Sequence, residues 1–218
     1  MRRLICLGDS ITDCNRLFSP NGLGHGYVNQ LNQMLNLTSQ TFEIINKGID
    51  GFTVNRLLEN VGRDCIDRHP DFVTILIGVN DVGLMMNTNR TSSQQEDMLA
   101  DFGRSYRQLL RMITQHTDCT CILMEPFIFS HPREEYKNWI PLIKNISGQI
   151  GELALEYHCP YILLHDKLNQ AAQVEGYHTI TSDGIHLTPR GHDIIANSLF
   201  SYLFKYDNMN HIEKRNEP

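Results

Sequence analysis

The chain has 218 residues, 41% of them apolar and 20% charged, the profile of a globular protein and not of a disordered one. Lys plus Arg number 19 against 25 Asp plus Glu, so the net charge is −6, and the basic surplus of a phosphate-neutralising nucleic-acid binder is missing. No run in it approaches the ~20 apolar residues of a membrane span.

Met1-Arg2-Arg3 has the charge of a signal-peptide start, but the apolar run behind it stops at Gly8-Asp9-Ser10, short of the roughly 7–15 residues of an export core. Leu4–Leu7 is therefore read as a first strand and the protein as cytoplasmic. Tyr27–Leu37 carries Tyr27, Val28, Leu31, Met34 and Leu35 at helical spacing. Phe42–Ile45 is a second strand. Thr53–Ile66 is a helix with Val54, Leu57, Leu58, Val61 and Cys65 on one side, stopped by Pro70. Phe72–Ile77 is apolar at nearly every position, as a parallel strand covered on both faces should be. The loop after it carries Leu84, Met85 and Met86. Glu96–His116 is a long helix and Thr120–Met124 a fourth strand. Glu134–Tyr157 is helical with a break near Pro141, Tyr161–Leu164 is a fifth strand, and Thr188–Phe204 is a closing helix. Five strand–helix alternations predict an α/β fold with helices on both sides of a five-stranded parallel sheet. No repeat or linker divides the chain, so residues 1–206 are expected to form one domain and 207–218 a polar tail. Six cysteines are read as reduced thiols; Cys119 and Cys121, two apart on a strand, share a face.

Ligands of open parallel sheets sit beyond the carboxyl ends of the strands, and four segments stand there or in the loop before the last helix. Gly8-Asp9-Ser10 offers a hydroxyl and a backbone N–H at the sheet edge; alone it also fits an N-cap serine. Asn46-Lys47-Gly48-Ile49-Asp50-Gly51 allows close backbone approach, with Gly48 N–H facing a substrate, or is a tight turn. Gly78-Val79-Asn80-Asp81 can aim a side-chain amide at developing negative charge, or is a turn and cap. Asp183 and His186, three apart in Ser182-Asp183-Gly184-Ile185-His186-Leu187, form the orienter–base pair of acyl-transfer chemistry, or a surface loop with a stray histidine.

In this order the four segments resemble the SGNH, or GDSL, hydrolase superfamily across nearly the whole chain, with Ile11 where the family name has Leu. The resemblance implies a three-layer α/β/α sandwich with a flavodoxin-like sheet. It implies Ser10 as nucleophile, His186 as base and Asp183 as its orienter, with Ser10, Gly48 and Asn80 as the oxyanion hole. Gly8-Asp9-Ser10-Ile11-Thr12-Asp13-Cys14, Gly22-Leu23-Gly24-His25-Gly26-Tyr27-Val28 and Met124-Glu125-Pro126-Phe127 are similar to a subgroup with intracellular acetylesterases acting on xylan-derived sugars. The implied function is a serine esterase for short-chain, above all acetyl, esters of carbohydrates. A thioesterase or lysophospholipase of the same superfamily, a non-catalytic carbohydrate-binding protein and a flavin-binding flavodoxin-like protein are the alternatives. No cofactor and no metal are expected: Gly22-x-Gly24-x-Gly26 starts 15 positions after Leu7 and is not a dinucleotide loop, and no H-x-x-x-H pair or Cys/His cluster exists. The expected partner is a small ester, with no nucleic acid and no membrane; homo-oligomerisation is left open. Asp9 and Asp81 are expected to hold loops in place. His165-Asp166 and His192-Asp193 diverge on helices and make no base–orienter unit. Tyr136 and Trp139 line the pocket or pack in the core.

Overall fold

The computed structural model describes residues 1–39 and 41–213, with side chains through 204. Its frame is a sheet of five parallel strands, β1 (Arg2–Gly8), β2 (Phe42–Gly48), β3 (Phe72–Leu76), β4 (Thr120–Met124) and β5 (Tyr161–Ile162), in the order β2-β1-β3-β4-β5. Helices α1 (Ser10–Asp13), α2 (Tyr27–Asn36), α3 (Val54–Asp64), α4 (Val79–Asn87), α5 (Ser92–His116), α6 (Ile140–Glu156), α7 (His165–Glu175), α8 (Tyr177–Ile180) and α9 (Pro189–Glu213) alternate with the strands.

Alternation along each strand divides the core in two. Ile5 and Leu7 of β1, Val73 and Ile75 of β3, and Cys121 and Leu123 of β4 face one way, against α3, α5 and α6. Leu4 and Cys6, Phe72 and Leu76, and Ile122 and Met124 face the other, against α2, α7, α8 and α9. Both faces being covered explains why β3 reads as an unbroken apolar run. This is the three-layer α/β/α sandwich that the pattern predicts. The strand order reverses direction between β1 and β3, so the crevice at that point lies between the segments that carry Ser10 and Asn80.

Several boundaries differ from the sequence reading. The expected loop after β3 is helix α4, with Val79, Val82 and Met85 buried at a spacing of three. Its Gly-x-Asn-Asp start carries turn residues and no side-chain cap, which disguises it. Helix α5 begins earlier, at a capping box in which Thr91 and Gln94 bond each other's backbone N–H. Helix α7 was not expected, because among its residues only His165, Leu168 and Ala172 are buried. Strand β5 stops at Ile162, short of Leu164, because the N–H groups of Leu164 and His165 turn to Glu125 Oε2 at 2.8 Å each. Glu125 thus starts α7, which gives Met124-Glu125-Pro126-Phe127 a structural task. Helix α9 continues through Glu213, and residues 214–218 of the expected tail lie outside the described residues. Among the described residues no helix is long and apolar enough to cross a membrane.

Candidate active site

Strand β1 delivers the chain to Asp9, whose buried carboxylate caps α1 by accepting from Ile11 N–H at 3.0 Å. The Asp9 carbonyl accepts from Thr12 and Asp13, so the turn is fixed and the side chain of Ser10 stands at its head. The Ser10 hydroxyl lies 3.0 Å from Nε2 of His186, 176 residues on. Nδ1 of His186 lies 2.7 Å from Oδ2 of Asp183. A carboxylate only accepts, so this contact places the imidazole proton on Nδ1 and leaves Nε2 as an acceptor facing the hydroxyl.

The loop that holds Asp183 and His186 is bonded along its length. Asp183 Oδ1 accepts from the N–H groups of Ile185 at 2.9 Å and His186 at 2.7 Å. Thr181 Oγ1 donates to the His186 carbonyl and accepts from Gly184 N–H. Phe129 N–H donates to the Gly184 carbonyl at 2.9 Å, tying the loop to the segment after β4. Burial pushes the Asp183 carboxyl up, but the bonds from His186 and from the two backbone N–H groups outweigh it and hold it below its ordinary range.

Asn80 sits in the first turn of α4, partly exposed, with its side-chain amide donating to the Phe52 carbonyl at 3.0 Å. One amide hydrogen is thereby used and the other remains.

Gly48 requires a correction. Its N–H donates to Asn46 Oδ1 at 2.8 Å, and its carbonyl accepts from Arg16 Nε at 2.6 Å. Both polar groups are taken, so its N–H does not face a substrate. Its glycine identity answers a packing need: a β-carbon there would sit 2.1 Å from Asp13 N. The other glycine of the motif, Gly51, has φ +73° with open space around it. Its N–H bonds to no described residue. It stands between Asp50, which lines the cleft beside Ser10, and Phe52, the acceptor for Asn80. Spacing alone did not separate the two glycines; the bonding does.

Asn46 is a residue that the sequence reading left without a task. Its amide nitrogen donates to the carbonyls of Thr12 at 2.6 Å and Leu23 at 2.9 Å while its oxygen takes Gly48 N–H. It fastens the end of β2 to the Ser10 turn and to the loop of Gly22, Gly24 and Gly26. That loop flanks the site: His25 N–H bonds the Cys14 carbonyl, and Gly26 caps α2.

Two carboxyls lie beneath. Asp81 is buried, with both oxygens 3.3 Å from Val54 N–H at the head of α3. Burial pushes both Asp81 and Asp9 up to about 7. Between its unfolded value of 3.8 and about 7, native Asp81 holds a proton that the unfolded chain has lost. Stability from this group is therefore full in acid and falls as pH rises through that window. An asparagine there does not titrate, so Asp81→Asn is expected to gain melting temperature relative to wild type as pH rises from about 4 to about 7 and to keep a constant difference above that. A difference that is constant with pH would show that the carboxyl ionises normally.

His192 is buried and pushed down to about 4 by desolvation. Its Nδ1 accepts from Tyr27 N–H at 3.2 Å and its Nε2 meets Cys14 Sγ at 3.6 Å, so it is a neutral wall of the cleft. Tyr136 and Trp139 are buried against each other with ring centroids 4.7 Å apart, and neither lines that cleft. Met85 is buried and Leu84 is half exposed on α4. The cleft holds about 310 Å³ and is bounded by Asp13, Asn15, Asp50, Leu187 and His192 around Ser10 and His186. Ile11 also walls a second hollow of about 10 Å³, together with Asp9, Leu76, Ile77, Val79, Pro126, Phe127 and Ile185, chain neighbours of Ser10, Asn80 and His186 among them. Among the described residues no group of three or more His, Cys, Asp or Glu side chains is placed to hold a metal ion.

A hydroxyl, an imidazole and a carboxylate in hydrogen-bonded series on a flavodoxin-like sheet are the equipment of a carboxylic ester hydrolase. Residues 6–194 match the model of the GDSL-like Lipase/Acylhydrolase family, and the chain belongs to that family. It is 28% identical over 203 residues to an acetylxylan esterase of Geobacillus stearothermophilus, covering 89% of this chain and 90% of that one. Two catalytic mutants of Axe2, an acetylxylan esterase from the same organism, superpose with TM-scores of 0.78 and 0.76 at 25% identity, over 92% of this chain and 93% of theirs. One is an aspartate-to-alanine and the other a serine-to-alanine mutant.

Proposed function

We propose that this chain hydrolyses acetyl esters of carbohydrates through an acyl-enzyme on Ser10. The observation that carries the reading is the bonded series Ser10–His186–Asp183, at 3.0 and 2.7 Å. His186 Nε2 takes the hydroxyl proton as Ser10 Oγ attacks the acyl carbon, and Asp183 steadies the imidazolium that results. The oxyanion is met by the N–H of Ser10, the N–H of Gly51 and the remaining amide hydrogen of Asn80. The C–O bond breaks, the alcohol leaves with the proton from His186, and water repeats the sequence on the acyl-enzyme.

The acetyl group and the sugar are supported by the likeness to acetylxylan esterases. The small, mostly apolar hollow that shares Ile11 with the cleft has room for a methyl group and not for a longer chain. The polar cleft in front, with Asp13 and Asp50, suits a neutral hydroxylated alcohol better than an anionic one. The six free cysteines accord with the reducing cytoplasm, and the charge of −6 with a small ester, not a nucleic acid, as partner.

A series of p-nitrophenyl esters from acetyl to palmitoyl, run beside acetylated xylo-oligosaccharides, tests the reading. The expected kcat/KM is highest for acetyl and falls about 100-fold or more by octanoyl. Preference for long chains would move the chain to the thioesterase or lysophospholipase class, and sugar binding without turnover would make it a binding protein.

A further inference from the structure

Three thiols that ester hydrolysis does not use gather at the amino-terminal edge of the sheet, away from the Ser10 cleft. Cys121 is the second residue of β4, buried at 3% exposure, while Cys119, the residue before β4, and Cys159, two residues before β5, are partly exposed. The Cys119 and Cys121 sulfurs are 3.9 Å apart, and Thr117 Oγ1 donates to Cys119 Sγ at 3.1 Å. The register of the neighbouring strands pairs Leu123 with Tyr161. Two steps back along both strands set Cys121 beside Cys159, and Leu123 N–H bonds the Pro160 carbonyl at 2.9 Å to hold that alignment. Cys121, Cys119 and Cys159 all pack on the α5–α6 face.

We infer that Cys121 and Cys159 are a modification site: a thiol pair that hydrogen peroxide converts reversibly to a disulfide joining β4 to the edge strand β5. Residues in register on neighbouring strands lie about 4.8 Å apart, inside the span a disulfide bridges. Residues two apart on one strand lie about 6.6 Å apart with parallel side chains, at the limit of that span, which disfavours Cys119–Cys121. The hydrogen bond to Cys121 draws the Cys159 thiol below its ordinary range, and Cys119 likewise, so the exposed partner is the better nucleophile. The Cys159 thiolate attacks a peroxide oxygen; the O–O bond breaks, hydroxide leaves, and a sulfenic acid forms. The Cys121 sulfur then attacks the sulfenic sulfur, the S–O bond breaks, and the oxygen departs as water with the Cys121 proton. Two thiols and one peroxide give one disulfide and two waters. The site does not depend on the esterase reading.

The test uses the full-length protein, reduced, treated with hydrogen peroxide, then denatured and alkylated for intact mass and non-reducing peptide mapping. The expected product has lost two hydrogens, alkylates at four of its six cysteines, and yields a Cys121–Cys159 cross-linked peptide that dithiothreitol separates. Cys119→Ser is expected to keep the cross-link and Cys159→Ser to abolish it. Six alkylated cysteines after treatment, a cross-link between other cysteines, or Cys159 carried to sulfinic acid with no cross-link would each overturn the inference, and the wild-type map alone decides among them.

Discussion

Replacing Ser10 with alanine is expected to lower kcat on p-nitrophenyl acetate by roughly a million-fold. In the proposed reaction the hydroxyl oxygen bonds to the acyl carbon, and no other described hydroxyl stands at His186 Nε2. The loss should not be complete, because the proposed oxyanion donors at Ser10, Gly51 and Asn80 remain and water can attack in their field, leaving roughly 10³- to 10⁴-fold over the uncatalysed rate. The fold should survive. The α1 turn is built by the Asp9 side chain and by the Asp9 carbonyl, neither of which needs the serine hydroxyl. A circular dichroism spectrum like that of wild type, with turnover near background, is the predicted pair of results. Turnover within tenfold of wild type would place the nucleophile elsewhere.

The second large effect belongs to Asp183→Asn, expected to cost roughly 10⁴-fold in kcat with little change in KM. Asparagine can keep its oxygen toward the N–H groups of Ile185 and His186, so the loop should hold its shape. Its NH₂ would then face Nδ1, the position from which Asp183 Oδ2 now accepts. A ring that must accept at Nδ1 carries its proton on Nε2 and has no lone pair for the Ser10 hydroxyl. The defect is thus one of tautomer, not of folding. A variant with normal melting behaviour and activity near wild type would show that Asp183 positions backbone and nothing more. Both side chains are well exposed, at 49% for His186 and 40% for Asp183, so their role is judged by rate and not by a contribution to stability.

How far the sequence carries can be judged from particular residues. The pairing of Ser10 with His186 is legible because each stands next to a clear element, Ser10 in the short turn of helix that follows β1 and His186 in the loop before α9, and parallel topology sends both to one edge. The sheet is legible because its strands are short apolar runs bounded by Gly, Asn and Asp. Helix α4 is not, since its first turn uses the residues of an irregular loop and its helical character comes from burying Val79, Val82 and Met85. Helix α7 is not, since its start depends on Glu125, forty residues earlier. The choice between Gly48 and Gly51 is not, since it turns on a side chain two residues away folding back onto a backbone N–H. The clamp made by Asn46 joins three loops and has no local signature. What escapes is tertiary hydrogen bonding, which periodicity does not encode.

The most direct test of the account is to find where a serine-directed phosphonate attaches. The purified protein is treated with a p-nitrophenyl phosphonate, digested, and mapped by mass spectrometry. The prediction is one adduct per chain, on the peptide that contains Ser10, with loss of esterase activity in proportion to labelling. An adduct on any other residue, or full activity in protein labelled at Ser10, would contradict it.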